Sequence, residues 1–272
     1  MNLFMIGILV IAAVIPVVFL CFLIFINDTH KEPLGLLFKI FTLGFFSSIP
    51  IVIIELVLDY LFPNDNITSL LLMCINTFFC VALVEEGFKW LITRFFGYNS
   101  KEFDEIYDVI VYAVFVSLGF ACCENILYVL GNGLGNAIMR AILSVPGHAC
   151  DGVLMGYFFA LAKLNRNKNN KELSVIFMIL SLLVPCLTHT IYDALLFGFD
   201  NTENIYLILI LFVFYAIQLI VCIFIIIVMA RIQQSLGNKE NNNSVKIIKF
   251  CPDCGENVEG CNYCRKCGNK IN

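Results

Sequence analysis

Acids, histidines and a lysine recur inside apolar stretches of this chain, at spacings that could do chemistry. Glu85 and Glu86 precede Lys89 by four and three residues, Phe120 precedes Glu124 and Asn125, His148 follows Pro146, and His189 precedes Asp193 by four. On a helix, the first spacing turns both carboxylates toward one ammonium, and the last lets Asp193 orient the His189 ring or share a ligand with it. Hydrolysis of a peptide bond needs a base to take a proton from water, a group to stabilise the oxyanion and an acid to protonate the leaving nitrogen. Carboxylates and imidazoles can fill all three roles. Two His and one Glu with an open fourth position also make a catalytic zinc site. No HExxH is present, so a metal would be held across helices, and no GxSxG or Ser-Lys arrangement supports a serine mechanism. Cys122 and Cys123 flank Glu124 without a basic neighbour to stabilise a thiolate. At this level, glutamate-activated and metal-assisted hydrolysis both remain open.

The elements that must carry these residues follow from composition. Of 272 residues, 60% are apolar and only 14% charged, with mean hydropathy +0.88. That excludes a water-soluble globular enzyme, because too few polar residues exist to cover its surface. A net charge of −4 excludes a phosphate-neutralising surface, so no nucleic-acid partner is expected. The fold class is an all-α polytopic membrane protein. Stretches of about 20 apolar residues mark seven spans, near residues 3–26, 34–61, 69–92, 106–130, 137–164, 174–199 and 205–232. The first lacks a basic n-region and a small-residue cleavage site, and reads as a span and not a signal peptide. The Gly131 to Gly135 run departs from GxGxxG and reads as a turn.

An ionised side chain in the bilayer costs at least ~2.5–3.5 kcal/mol, so the charges on spans three to six are functional candidates. Depth counted at about 1.5 Å per residue puts His148 and the Glu85/Glu86 pair near mid-bilayer, with His189 and Glu124 some 5–10 Å toward the outside. Glu55, Asp59, Asp108 and Gln218 read as mainly structural. Of the 17 basic residues only Arg140 falls on the outer side, which puts the N-terminus outside and the C-terminus in the cytoplasm.

Composition changes after Arg231, and residues 233–248 read as a flexible linker. Within 249–272, Cys251 and Cys254 form one CxxC pair, and Cys264 and Cys267 a second about ten residues on. This is the pattern of a zinc ribbon that folds around one tetrahedral Zn²⁺. Of the thirteen cysteines, eight lie in apolar runs and five in this segment, which argues against a secreted disulfide scaffold. The ribbon resembles those appended to many bacterial membrane proteins, which suggests docking or regulation by a cytoplasmic protein partner.

Taken in order, EExxK from Glu85 to Lys89, FxxxEN from Phe120 to Asn125, the histidine His148 and HxxYD from His189 to Asp193 resemble the motifs of the PrsW-type intramembrane proteases. These are distant relatives of the CAAX-processing and bacteriocin-immunity membrane proteases. The resemblance covers a motif core of residues 85–193 within a membrane domain of residues 1–232. It implies regulated cleavage of single-span membrane proteins such as anti-sigma factors, on their extracytoplasmic side in a bacterial cell membrane. It further implies that Glu85, Glu86, Glu124, His148, His189 and Asp193 are catalytic, with Lys89 and Asn125 in support and a second, intramembrane metal open. The rival reading is a non-catalytic sensor or a transporter that uses the same charges as a proton or ion relay. A transporter built from inverted repeats of broken helices is disfavoured, since the two halves share no such pattern.

Overall fold

The computed structural model describes residues 3–28, 30–63 and 67–243, together with Cys254, Glu256, Lys266 and Cys267. The described residues form helices and turns without a strand. The helices are α1 (Leu3–Asn27), α2 (Leu34–Leu61), α3 (Leu70–Gly97), α4 (Asp108–Ile142), α5 (Ser144–Asn167), α6 (Lys171–Thr202) and α7 (Ile205–Asn243). A backbone in hydrocarbon must satisfy its own N–H and C=O groups, and apolar sequences of this length do so as helices. Pro16, Pro50 and Pro185 are accommodated inside α1, α2 and α6.

Among the described residues six helical stretches are long and apolar enough to cross a membrane, and one of them, Asp108–Asn167, has 60 residues. Straight, it would run about 90 Å, three times the hydrocarbon thickness. It reverses instead. Gly133 has φ 81° and ψ −169°, a conformation that only glycine adopts freely. Contacts on either side pair residues symmetrically about it. Ser117 Oγ donates to the His148 carbonyl at 2.6 Å and Arg140 Nε to Asn125 Oδ1 at 3.0 Å, while Gly152 faces Val114 and Gly156 faces Ile110. The stretch is therefore an antiparallel hairpin that turns inside α4 at Gly133, its second arm running from there through α5, and the helical crossings among the described residues number seven, as expected.

Close approach of the helices depends on missing side chains. A Cβ on Gly156 would stand 2.5 Å from Ile110 Cα, and one on Gly44 would stand 2.1 Å from the Val116 carbonyl oxygen. Small residues bring the backbones of α5 and α2 onto α4 in this way. As a result α4 is the central helix, with Val109 to Val114 all buried, while Phe19, Ile53 and Ile220 are exposed on the outer helices, as lipid contact requires. The third span departs from a plain helix in one respect that hydropathy cannot register. It carries π turns at Phe78–Ala82 and Thr93–Gly97, which bracket Glu85, Glu86 and Lys89.

The chain divides into two units, Met1–Ala230 and Arg231–Asn272. Helix α7 continues to Asn243, so the polar stretch expected as a linker begins as helix, with no proline to stop its propagation. In the second unit Cys254 and Lys266-Cys267 lie in turns, and Lys266 pairs with Glu256 at 3.8 Å. Cys251 and Cys264 lie outside the described residues.

Candidate active site

The first half of the site is built by α3. Between its π turns, Lys89 Nζ donates to Glu85 Oε2 at 3.0 Å and to Glu86 Oε1 at 2.7 Å. Lys89 and Glu86 are fully buried, and the ammonium lies 4.1 Å from the centre of the Phe120 ring on α4. A buried ammonium keeps its charge only where such partners replace water.

The hairpin brings the second half. His148, on α5, lies 3.3 Å by its Nδ1 from Lys89 Nζ and 2.9 Å by its Nε2 from Glu124 Oε2 on α4. Lys89 can only donate, so in the neutral ring Nδ1 is the acceptor and Nε2–H donates to Glu124. Glu124 is held in turn by Arg140 Nη2 at 2.7 Å. The fully buried Asn125 donates to the Ala13 carbonyl at 2.7 Å and accepts from Arg140, so it ties α1 to the guanidinium that faces Glu124.

On α6, His189 Nδ1 lies 2.9 Å from Glu86 Oε1, and its Nε2 lies 3.1 Å from Asp193 Oδ2 and 3.8 Å from Glu85 Oε2. The two imidazole rings meet edge to face with centres 5.4 Å apart. Thus Glu85, Glu86, Lys89, Glu124, His148, His189 and Asp193, scattered over 109 positions of sequence, are contiguous through four helices.

The group opens on a cavity of about 800 Å³ lined by Glu85, Glu124, His148, His189 and Asp193. Glu86 and Lys89 are not on its wall, so of the adjacent glutamates only Glu85 meets its contents. The wall continues to Phe62 and Asp200, by the ends of α2 and α6, and to Asn132 and Asn136, either side of the reversal at Gly133, the side that an outward N-terminus predicts to be external. Three residues read as structural from the sequence prove to line it: Glu55, Asp59 and Gln218. Their helices, α2 and α7, lie outside the motif core, and contact between helices leaves no local spacing to read. Asp151 is another partner. Its Oδ1 accepts from Thr188 Oγ1 at 2.7 Å and Gln218 Nε2 at 3.0 Å, and its Oδ2 lies 4.0 Å from His189 Nδ1. Its position three residues after His148 was the available signal.

The donors fit a metal ion. One ligand atom from each of Glu85, Glu86, His148 and His189 lies within 4.8 Å of the others, and all four residues are buried. Glu86 Oε2 is sealed from solvent with no hydrogen-bond donor. Each histidine has one ring nitrogen turned into this group, where His148 Nδ1 faces Lys89 Nζ and His189 Nδ1 faces Glu86 Oε1, and the other against an outer carboxylate, Glu124 or Asp193, as in metal-binding imidazoles; a metal would displace those two inward contacts. Around them Glu85, Glu86, Glu124, Asp151 and Asp193 outnumber Lys89 and Arg140, a local excess of acid that a dication would offset.

Comparison with known proteins agrees with this geometry. Residues 32–228 match the model of the PrsW family of intramembrane metalloproteases, from α2 through most of α7 and so well beyond the motif core. The chain is 40% identical over 190 residues to Protease PrsW of Oceanobacillus iheyensis, covering 70% of this chain and 83% of the relative. It is 35% identical over 195 residues to Protease PrsW of Bacillus subtilis, covering 70% and 83%, and 33% identical over 189 residues to that of Clostridioides difficile, covering 68% and 77%. No solved structure matches. A buried group of acids and imidazoles on a cavity in the bundle, within a sequence matched over most of its length, makes this chain a member of the PrsW family of intramembrane metalloproteases.

Proposed function

We propose that the chain cleaves single-span membrane proteins, with anti-sigma factors as the model class, at a peptide bond drawn into the cavity from its extracytoplasmic end. The observation that carries this reading is the convergence of Glu85, Glu86, His148 and His189 within 4.8 Å beside a cavity of about 800 Å³. Glu85 is the general base, because it alone of the adjacent glutamates faces the space where water and substrate meet. Glu86, His148 and His189 hold the metal. When bound there, it supplies Lewis acidity at the scissile carbonyl and makes water easier to deprotonate. Glu124 and Asp193 fix the two rings through their far nitrogens, and Lys89 offsets the negative charge of the glutamates. Arg140, on the cavity wall, offers a guanidinium to the developing oxyanion while it holds Glu124. The oxygen of water bonds to the carbonyl carbon as its proton passes to Glu85, and that proton goes on to the leaving nitrogen as the C–N bond breaks, which gives a new carboxyl and a new amino terminus with the base restored.

In this reading the N-terminus faces out and the C-terminal segment faces the cytoplasm, where Cys251, Cys254, Cys264 and Cys267 hold Zn²⁺ in a ribbon that docks a regulatory protein. Glu85→Gln, Glu86→Gln and His148→Ala, each followed with an epitope-tagged single-span substrate, test the catalytic assignment. Each should abolish cleavage, and normal cleavage in all three would end it. Metal content after removal of the chain from Lys249 onward tests the metal. About one equivalent should remain and be lost in His148→Ala, whereas none remaining would return the mechanism to glutamate alone.

A further inference from the structure

A second group of buried acids lies away from the cavity, where the connection between α1 and α2 meets the start of α4. A carboxylate oxygen from each of Asp28, Glu105 and Asp108 lies within 4.8 Å of the other two. Asp28 is 2% exposed and Asp108 is fully buried. One oxygen of each already has a partner. Asp28 Oδ2 accepts from the Glu32 N–H at 3.3 Å, Asp108 Oδ2 from the Glu105 N–H at 2.7 Å, and Glu105 Oε1 pairs with His30 Nδ1. The second oxygens, Asp28 Oδ1, Glu105 Oε2 and Asp108 Oδ1, are sealed from solvent and receive no hydrogen bond.

Nearby cations do not fill that role. Lys31 Nζ is turned to the end of α1, where it donates to the carbonyls of Phe25 at 2.8 Å, Ile26 at 2.9 Å and Asp28. His30 is largely exposed and reaches only Glu105. A fourth acid, Glu32, is committed to the Tyr112 hydroxyl, from which Oε2 accepts at 2.6 Å. Buried carboxylate oxygens without donors are found where a cation supplies what hydrogen bonds do not.

We propose that Asp28, Glu105 and Asp108 form a binding site for a hard, oxygen-ligated divalent cation, with Ca²⁺ preferred over Mg²⁺. Ca²⁺ tolerates irregular sets of carboxylate and carbonyl oxygens, whereas Mg²⁺ demands near-ideal octahedral geometry and keeps several waters, so three carboxylates from separate parts of the chain, two of them deeply buried, suit the larger ion. Backbone carbonyls and water complete its coordination. The ion clamps the α1–α2 connection to the entry of α4, about 24 Å along that helix from Glu124.

Tb³⁺ stands in for Ca²⁺ in the test, because Tyr107 and Tyr112 are close enough to sensitise its emission. The full chain in detergent should show saturable tyrosine-sensitised emission that excess Ca²⁺ reverses and equal Mg²⁺ reverses poorly. Emission should be lost in D28N/D108N, weakened at least about tenfold in affinity in E105Q, and retained in E86Q/H148A, which removes the donors at the centre of the bundle. Ca²⁺ should raise the thermal midpoint of the wild type and of E86Q/H148A but not of D28N/D108N. Should D28N/D108N fail to fold, E105Q carries the same comparison. The proposal is overturned by emission absent from the wild type, or unchanged in the folded variants, and equally by a midpoint that Ca²⁺ never moves. Reversal by Mg²⁺ as readily as by Ca²⁺ overturns the stated preference.

Discussion

Two groups of largely buried carboxylates stand out among the described residues, and they are compensated differently. At the centre of the bundle Glu85, Glu86 and Glu124 face Lys89 and Arg140 at 2.7–3.0 Å, with both imidazoles interleaved. At the entry to α4, Asp28, Glu105 and Asp108 meet a single exposed imidazole, and each keeps an oxygen without a donor. Burial alone therefore says little about what an acidic group does. What surrounds it decides: the central group meets two cations and two imidazoles within the chain, stays in acid excess with Glu86 Oε2 unbonded, and opens on a cavity, whereas the peripheral one has almost no counter-charge of its own. Burial also pushes the Asp28 and Glu32 carboxyls above their ordinary values, and the charge of Lys31 offsets only part of that for Asp28.

Four substitutions separate the two groups. Glu85→Gln should have the largest effect, a loss of about 10²–10⁴-fold in cleavage rate with little change in thermal midpoint, because it removes a base from the cavity wall and keeps its shape. Normal cleavage by this variant would put catalysis elsewhere. Lys89→Met should cost about 3–5 kcal/mol of stability, read by thermal unfolding in detergent, since it leaves Glu85 and Glu86 buried without their counter-charge. An unaltered midpoint would mean that the central balance does not rest on Lys89. Next, Gly156→Ala should cost about 1–3 kcal/mol, because its Cβ meets the Ile110 backbone and pushes α5 from α4. Cleavage should fall with it as His148 leaves Glu124. Smallest of all, Asp28→Asn measured in chelator should fall within about 0.5 kcal/mol of the wild type or above it, since a repulsive charge is removed. A large loss there would show that the peripheral acids are balanced within the chain after all.

Much of the central group was legible because its spacing is local. The i,i+3 and i,i+4 relations of Glu85, Glu86 and Lys89, and of His189 and Asp193, survive intact in the folded helices. Four motifs in one order identified the family, and apolar length identified the crossings, since a membrane leaves a chain few alternatives to helix. Arg140 was visible only as the lone basic residue on the outer side, and the sequence offers no rule that pairs it with Glu124 from sixteen residues away across a reversal. That Glu55, Asp59 and Gln218 line the cavity was not legible for a similar reason: which face of α2 or α7 meets it is decided by helix packing, as where Gly44 lets α2 onto α4. The peripheral acids, divided between two connections, carry no spacing signal at all. The π turns of α3 were hidden because they alter the winding of a helix without altering its hydropathy.

The reversal at Gly133 makes chain length a measuring device. Residues on the two arms meet when they lie nearly equal distances before and after that glycine, so His148, fifteen positions beyond it, comes to the level of Ser117, sixteen before it, and within reach of Glu124. Deleting one residue between Gly135 and Ser144 would rotate everything beyond it by about 100° and draw it along the axis by about 1.5 Å. The histidine would then point toward lipid or toward α7, with its own side chain and immediate neighbours unaltered. Such a deletion would silence the enzyme without touching a single reacting group, and insertion of a full turn would restore the direction of the ring but set it one storey too far from its carboxylate.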